Sequence, residues 1–256
     1  MAANLPVDLA VELENLSRRY GSIYVLRRLN VRISVGKLVV LQGSNGSGKT
    51  TLLKVLASRL RPSRGQARVM GLDVASQAAQ VRMQVGYMSV SGGHYGSLSA
   101  LENLRFAAAL RYRDYPEASL WALLEQVGLQ DAAHKLSRSF SSGMHKRLGL
   151  AKLLLADAPL WLLDEPYASL DEAGQDVIDE ALRSAKAQGK TVLVASHALE
   201  RSRRIADAVL RLEQGQLSLA DAPPLASGAA GVSGTTSSAT KVSSTTSSAT
   251  GVSSLA

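Results

Sequence analysis

The sequence predicts an α/β fold with a mainly parallel core sheet and helices on both faces. An apolar run at 38–41 leads into a glycine-rich loop at 43–50, and a helical pattern follows the loop. Further along, buried-strand runs at 160–163 and 191–195 flank a helix pattern at 171–187. Strands that alternate with helices in this way are typical of a parallel sheet.

The first region, from residue 11 to about residue 90, is rich in strand signals and contains one long helix after the loop. Extended segments before the loop are indicated by Val25, Leu26, Leu29, Val31, Ile33 and Val35.

The second region, from about 98 to 155, is mostly helical in pattern. One helix face is indicated by Leu101, Leu104, Ala108 and Leu110, and another by Leu120, Leu123, Leu124 and Val127. Gly128 is expected to end the second of these helices. This region therefore predicts a helical insertion between two parts of the α/β fold.

The glycine-rich loop matches the pattern G-x-x-x-x-G-K-[ST], which binds phosphate. Glycines let the backbone curl so that N–H groups point at phosphate oxygens, and the helix N-terminus adds partial positive charge. Lys49 would reach the β- and γ-phosphates, and the Thr50 hydroxyl would hold Mg²⁺. The nucleotide-binding residues predicted here are Gly43, Ser44, Asn45, Gly46, Ser47, Gly48, Lys49, Thr50 and Thr51. A chance glycine loop is the alternative, and the strand before it and the helix after it disfavour that interpretation.

Two carboxylates, Asp164 and Glu165, follow the apolar strand at 160–163. In an enzyme with a phosphate-binding loop, an acid at the end of a neighbouring strand binds Mg²⁺, directly or through water. Asp164 suits this role, and Glu165 would then polarise the attacking water as general base. The alternative is an ordinary acidic turn after a strand.

Composition limits the other possibilities. The 256 residues carry a net charge of +8 and include no cysteine, which excludes disulfides, thiolate metal sites and cysteine nucleophiles. No apolar run approaches the ~18 residues of a membrane span, and residues 1–10 do not resemble a signal peptide. The basic charge is compatible with nucleic acid, an anionic membrane face, an acidic partner or a solvated surface. With two Phe, two Trp and seven Tyr, stacking platforms for single-stranded bases are scarce, so nucleic acid is not expected.

The C-terminal segment at 222–256 differs from the rest of the chain. It consists almost wholly of Ser, Thr, Ala, Gly and Val, and a ten-residue repeat begins at Val232 and again at Val242. Because it has no large side chain to bury, we expect it to be a disordered low-complexity tail. A β-solenoid is the alternative, but two and a half repeats are too few to stabilise one.

Over roughly residues 8–219 the chain resembles the ATP-binding cassette (ABC) ATPases. The markers that carry the resemblance are Tyr20 upstream, the Walker A loop at 43–50, the signature region Phe140-Ser141-Ser142-Gly143-Met144, the Walker B strand at 160–165, the D-loop at 169–171, and Ser196-His197. Walker A and B occur in many NTPases, whereas their combination with the other markers at family spacing is specific.

The resemblance implies a P-loop NTPase fold with an N-terminal antiparallel β part, and it places the ATPase domain at 1–221 with a helical subdomain at about 98–155. It implies ATP and Mg²⁺ as cofactors. Tyr20 would stack on adenine, and Asp171 would belong to the nucleotide site or begin the helix, with Ser169 capping it. His197 would contact the γ-phosphate. Ser141 and Gly143 would contact the ATP of a second cassette, so the working unit would be a head-to-tail dimer around two ATP.

The sequence departs from the family at two places. Val90 or Ser91 stands where the family has a glutamine that contacts Mg²⁺ and signals to the membrane subunit, and Gln84 lies earlier, on the predicted strand. In the signature, Ser142 and Met144 replace Gly and Gln, and a serine resists positive φ. We expect slower hydrolysis from these changes, with catalysis by Lys49, Glu165 and His197 retained.

The resemblance is greatest to export cassettes, and specifically to the haem-exporter, cytochrome c maturation type. It implies transmembrane permease subunits as partners, a second cassette, and a location on the cytoplasmic face of the cell membrane. Two alternatives remain: a soluble ABC ATPase that acts on ribosomes or nucleic acid, and a nucleotide sensor with slow turnover.

Overall fold

The computed structural model describes residues 8–89, 93–111, 114–196, 199–220 and 232–234, and these form two sheets and seven helices. The strands are β1 (Leu9–Tyr20), β2 (Ile23–Ser34), β3 (Leu38–Gln42), β4 (Arg64–Val69), β5 (Leu72–Asp73), β6 (Val85–Met88), β7 (Leu160–Asp164), β8 (Thr191–Ala195), β9 (Ala208–Glu213), β10 (Gln216–Ala220) and β11 (Val232–Gly234). The helices are α1 (Lys49–Leu56), α2 (Ala78–Gln84), α3 (Ala100–Ala109), α4 (Glu117–Gln126), α5 (Ser142–Ala156), α6 (Glu172–Ala187) and α7 (Leu199–Arg203).

The core sheet has six strands in the order β10-β9-β3-β8-β7-β6. All neighbours are parallel except β9 and β10, which form an antiparallel hairpin. Every residue of β7 and β8 is buried, as expected for strands covered on both faces. The predicted α/β fold with a mainly parallel core sheet is therefore confirmed.

The second sheet is antiparallel and is built mostly from the N-terminal region, in the order β11-β2-β1-β4-β5. This is the predicted N-terminal antiparallel β part. The long β1–β2 hairpin ends at Tyr20 and Ile23, which pair with each other at its tip.

Alternate residues of the core strands belong to two different hydrophobic clusters. Leu38 and Val40 of β3 pack with the helical region and α6, whereas Val39 and Leu41 pack with α1 and the antiparallel sheet. The helical region consists of α3, α4 and α5, which lie between β6 and β7 in the chain. The sheet is thus covered on one face by helices and on the other by α1 and the second sheet.

Helix α1 has only eight residues, so the expectation of a long helix after the loop is wrong. The helix ends because Ser58 takes the left-handed conformation, with φ of 52°, and its N–H bonds back to Val55 O. Arg59 N–H likewise bonds to Lys54 O, and together these bonds cap the last carbonyl groups of the helix.

Three further local expectations need correction. Gln84 ends α2 and does not lie on β6, which begins at Val85. Asp171, not Ser169, caps α6, because its side chain accepts a hydrogen bond from Gly174 N–H. Leu110 is 60% exposed, since α3 ends one residue before it.

Most of the low-complexity tail lies outside the described residues. The exception is β11, where Val232, Ser233 and Gly234 pair with Ile33, Arg32 and Val31 of β2. In these three residues the structure differs from the predicted disorder, because the outer edge of β2 offers backbone groups that can pair.

Candidate active site

The candidate site lies where three neighbouring parallel strands end. β3, β8 and β7 are adjacent in the sheet, and in register Leu41 pairs with Ala195 and Ala195 with Asp164. Their carboxyl ends therefore bring together the glycine-rich loop after β3, Asp164 and Glu165 at the end of β7, and Ser196 after β8. Ligands of open α/β sheets bind at this edge.

The loop at 43–50 has the backbone that a phosphate cradle needs. Gly46 and Gly48 have φ of 80° and 111°, which disfavour any residue with a Cβ. A Cβ on Gly43 would lie 2.3 Å from Leu212 O, so glycine is required there for space. Gly48 stands at the N-cap of α1, whose free N–H groups face the loop.

Lys49 is 6% exposed and its ammonium group lies inside the loop. Nζ donates to Gly43 O at 2.7 Å and to Ser44 O at 3.2 Å, and it lies 3.7 Å from Glu165 Oε1. The side chain thus spans the loop and reaches the acid that follows β7. A phosphate bound by the loop would therefore lie close to the positive charge of Lys49.

Thr50 and Asp164 are in direct contact across the site. The Thr50 hydroxyl donates to Asp164 Oδ1 at 3.1 Å, whereas Oδ2 is buried and accepts no hydrogen bond of good geometry within the described residues. The Tyr87 hydroxyl is also buried without such a bond, and its pKa is raised by burial and then by the charge of Asp164. Burial raises the pKa of Asp164, and the Thr50 hydrogen bond opposes this shift. A buried carboxylate oxygen without a partner, beside a hydroxyl, fits the oxygen ligands that Mg²⁺ prefers.

No cluster of three or more acidic or histidine side chains that could hold a metal ion occurs in the part of the chain that the structure describes. An ion at Asp164 and Thr50 would therefore take its remaining ligands from phosphate oxygens and water. That is the usual way in which Mg²⁺ binds with a nucleotide.

Glu165 follows β7 with an unusual backbone. Its φ is 50°, a left-handed conformation that costs an L-residue about 1–3 kcal/mol. Its N–H donates to Ala195 O of β8 at 2.8 Å. The turn directs the carboxylate back over the loop, toward Lys49.

Tyr20 lies at the tip of the β1–β2 hairpin and is 48% exposed. The Arg18 guanidinium stands 4.8 Å from the centre of its ring. The same hairpin approaches the glycine-rich loop, because a Cβ on Gly48 would contact the side chains of Val25 and Leu26. An exposed aromatic ring thus lies on an element that packs against the loop, and its stacking on adenine stays a prediction.

Ser141 caps α5, since its hydroxyl accepts a hydrogen bond from Met144 N–H at 3.2 Å. Ser142 is the first residue of the helix and does not have a positive φ, so the strain expected from a serine at this position is absent. A Cβ on Gly143 would lie 3.1 Å from Ser169 O. The start of α5 therefore packs closely on the 169–171 segment.

Asp171 joins this contact. Besides capping α6, its Oδ1 pairs with Arg147 of α5 at 3.3 Å. The Gly174 and Arg147 hydrogen bonds lower the pKa of Asp171. The signature region and the segment after Glu165 are thus held together within one chain.

His197, Val90 and Ser91 lie outside the described residues, so the roles expected at these positions stay predictions. Ser196, directly before His197, is buried, and its N–H bonds to Leu41 O of β3. The backbone that leads to His197 is therefore anchored beside the glycine-rich loop.

One residue of the site was missed in the sequence. Lys146 of α5 is 3% exposed, and its Nζ donates to Glu165 O at 2.7 Å and to Asp164 O at 3.3 Å. Burial lowers the pKa of Lys146, and the charges of Asp164 and Glu165 oppose this shift. Nothing in the sequence distinguishes Lys146 from the neighbouring Arg147 and Lys152, so its burial against the site could not be predicted.

Comparison with known proteins agrees with this geometry. The family model described as "ABC transporter" matches residues 26–168. The chain belongs to the ABC transporter family. Within the family it is an ATP-binding cassette ATPase, since its relatives are ATP-binding proteins that align over most of their length.

Two relatives illustrate the similarity of this ABC cassette. A cytochrome c biogenesis ATP-binding export protein, CcmA, from Methylococcus capsulatus is 39% identical over 74% of this chain and 92% of its own. The daunorubicin resistance ATP-binding protein DrrA3 of Streptomyces coeruleorubidus is 33% identical over 82% of this chain and 67% of its own.

Solved structures show the same cassette fold. An ATP-binding subunit of an ABC transporter superposes with a TM-score of 0.76 at 27% identity, over 82% of this chain and 89% of its own. A dimeric ATP-binding cassette bound to ADP and phosphate has a TM-score of 0.77 at 23% identity, over 84% of this chain and all of its own, which supports the fold alone. Within the described residues of the ABC cassette, no helix is long and apolar enough to cross a membrane.

Proposed function

We propose that the chain is the ATP-hydrolysing subunit of an exporter, which dimerises around two ATP molecules and drives separate membrane subunits. The observation that carries the ATP-hydrolysing part of this proposal is the meeting of Lys49, Thr50, Asp164 and Glu165 at one edge of the sheet. A charged phosphate cradle, a metal-binding pair and a general base are the parts that ATP hydrolysis needs.

In this proposal each residue has one role. The 43–50 loop and Lys49 bind the phosphates of ATP, and Thr50 with Asp164 holds Mg²⁺. When bound, Mg²⁺ would neutralise charge on the phosphate oxygens. Glu165 accepts a proton from the attacking water, and His197 contacts the γ-phosphate.

Adenine stacks on the exposed ring of Tyr20. Arg18 already covers one face of that ring, so the base takes the other face or displaces the guanidinium. Either arrangement uses the attraction of a flat π-system for a second flat group.

The dimer follows from the position of the signature region. Ser141 and the Gly143 N–H stand at the N-terminus of α5, where Ser141 and Ser142 are exposed, and a helix N-terminus favours an anion. In the proposed head-to-tail dimer this terminus contacts the γ-phosphate held by the other cassette. Each ATP therefore joins two chains, and hydrolysis releases them.

An export role is supported by the names of the relatives, which include a cytochrome c biogenesis export protein and a daunorubicin resistance protein. We propose transmembrane permease subunits as partners and the cytoplasmic face of the cell membrane as the location. The permease would select the cargo, and the similarity to CcmA makes the cytochrome c maturation type the first candidate.

Steady-state phosphate release tests the catalytic part of the proposal. The unmodified chain should release phosphate from MgATP, and Lys49→Ala should reduce the rate by at least about 100-fold because the phosphate charge is no longer matched. Lys135→Ala, which changes an exposed lysine of the helical region, is the control. If the unmodified chain released phosphate no faster than the Lys49→Ala variant, the protein would be a nucleotide sensor and not a hydrolysing subunit.

Affinity purification from mildly solubilised membranes tests the transport part. We expect a multi-span membrane protein to co-purify with the unmodified chain. When the slowly hydrolysing Glu165→Gln chain is used with MgATP, the amount of this membrane protein recovered should change. Recovery of ribosomal or nucleic-acid-bound material alone would overturn the transporter assignment.

A further inference from the structure

Lys146 lies in α5, and its side chain contacts the backbone of Asp164 and Glu165, the two acidic residues of the site. It is 3% exposed, although lysine is almost never fully buried unless it is paired. Its Nζ donates to Glu165 O at 2.7 Å and to Asp164 O at 3.3 Å. Because two successive carbonyl groups share this ammonium group, the course of the chain after β7 depends on it.

The backbone of Glu165 is restrained on both sides. Its N–H donates to Ala195 O, and its carbonyl accepts from Lys146. Between these two bonds the residue keeps a φ of 50°, which L-residues rarely adopt. In this conformation Oε1 lies 3.7 Å from Lys49 Nζ, so the aim of the carboxylate depends on both restraints.

The next residue of α5 contacts the same segment further along. Arg147 pairs with Asp171 at 3.3 Å, while Lys146 holds Glu165. Two consecutive side chains of one helix therefore fix the segment 165–171 at both of its ends. Ser141 of the signature region is the N-cap of the same helix, α5.

We propose that Lys146 is a positioning residue for hydrolysis, which holds the backbone of Glu165 so that its carboxylate stays aimed at the attacking water. Lys146 does not touch ATP; it acts through Glu165. The inference rests on the proposed function, because it concerns the general base of that same site.

Two substitutions test the inference in the full chain. Lys146→Met removes the ammonium group and keeps most of the volume, whereas Lys146→Arg keeps a positive charge and several donors. For Lys146→Met we expect kcat to fall about 10- to 100-fold, a part of the 10²- to 10⁴-fold that a general base contributes. KM for ATP should change less than about threefold, because no ATP contact is lost. Lys146→Arg should keep a higher kcat than Lys146→Met, because a donor to the Glu165 carbonyl remains.

Combination with Glu165→Gln separates positioning from a general structural role. The measurement is the single-turnover rate of phosphate release by Glu165→Gln alone and by the double variant with Lys146→Met. If Lys146 acts through the Glu165 carboxylate, the double variant should be slower than Glu165→Gln by less than about twofold. The ATP-bound dimer of the Glu165→Gln chain should still form. Multiplied losses, or loss of that dimer, would overturn the inference.

Lys152→Met is the matched control. Lys152 lies on the same helix, and its Nζ donates to a backbone carbonyl, Gly93 O, at 2.7 Å. The kcat of the Lys152→Met variant should stay within about twofold of that of the unmodified chain, because the two hydrogen bonds that restrain the Glu165 backbone are kept. A Lys146→Met chain with unchanged kcat, beside active unmodified protein, would sink the inference and leave the proposed function standing. Unmodified protein no faster than Lys49→Ala would instead contradict the proposed function itself.

Discussion

The Thr50 hydroxyl donates a hydrogen bond of 3.1 Å to Asp164 Oδ1 and so joins two residues that are 114 positions apart in the chain. The second carboxylate oxygen is buried and has no partner among the described residues. A buried polar atom without a partner is costly, and at a site of this kind it indicates a place for an ion. The pair thus combines the end of the phosphate-binding loop with the end of β7.

Replacement of Asp164 by Asn should weaken the response to Mg²⁺. Asn keeps an acceptor for Thr50 but loses the negative charge that attracts the ion, so the free Mg²⁺ required for half-maximal hydrolysis should rise about tenfold or more. The measurement is phosphate release against buffered free Mg²⁺, and chelation with EDTA should abolish the activity. Asp131→Asn, at an exposed position, should respond like the unmodified chain. An unchanged Mg²⁺ response in Asp164→Asn would exclude the proposed metal site.

Glu165→Gln should trap the chain as an ATP-bound dimer. The amide cannot accept a proton from water, so ATP stays intact and keeps the two cassettes together. Size-exclusion chromatography with saturating MgATP should show roughly twice the monomer mass. The same substitution combined with Lys49→Ala should stay monomeric, because phosphate binding is lost. A monomer at saturating ATP in the single variant would contradict a site shared between two chains.

Ser141 should have two separable roles, one in the fold and one in the dimer. Ser141→Ala removes the cap of α5 and should cost about 1 kcal/mol in the free energy of unfolding, whereas Ser141→Asp keeps a capping oxygen. In the proposed dimer the added carboxylate would face a γ-phosphate, so Ser141→Asp should fold normally and fail to dimerise with ATP. Chemical denaturation and chromatography measure the two effects. If Ser141→Asp dimerised like the unmodified chain, this end of α5 would not meet ATP.

Stability should fall as the pH falls from about 6.5 toward 4, because of His94. Its ring stacks on His145 at 5.4 Å, its Nε2 lies 2.8 Å from His145 O, and Nδ1 is buried without a partner among the described residues. Burial, and then the Lys152 charge, lower the pKa of His94 from 6.5 to about 4. The unfolded chain therefore binds a proton in this range that the folded chain does not. The loss is on the order of 1–2 kcal/mol across the range, because solvent at the partly buried ring reduces what the full shift would give at about 1.4 kcal/mol per pKa unit.

A variant pair isolates this effect. His94→Phe keeps a ring for the stack and cannot be protonated, so the part of the pH dependence due to His94 should disappear, although the contact with His145 O is lost at every pH. His134→Gln, at an exposed ring on the helical region, should keep the full slope. Urea unfolding at pH 7.5 and 5 measures both variants. An equal slope in all three proteins would assign the pH dependence to other groups.

The parts of the site that were predictable from sequence are local. The cradle at 43–50 follows from the spacing of its glycines and from the strand and helix around it. The pairing of Thr50 with Asp164 follows from the rule that parallel strands place their carboxyl ends at one edge. Neither inference needs a knowledge of side-chain packing.

The parts that were not predictable depend on contacts between distant segments. Lys146 is followed by Arg147, and lysines are mostly exposed, so nothing in its sequence neighbourhood indicates that it is buried against Glu165. The ion pair of Arg147 with Asp171 likewise requires the packing angle of α5 on the 169–171 segment. The end of α1 after eight residues depends on Ser58, whose left-handed backbone no propensity favours.

The strand order also has a consequence for how the protein is made. The three strand ends that form the site belong to segments near residues 42, 164 and 195, and β8 stands between β3 and β7. On the ribosome, the phosphate-binding loop therefore emerges long before the strand that completes its place in the sheet. Contacts of such long sequence separation make folding slow, because loop closure must precede them. A nascent chain shorter than about 195 residues would lack the strand at the centre of its sheet. Pulse proteolysis of stalled chains of increasing length should therefore show protection from the protease only after β8 has emerged from the ribosome.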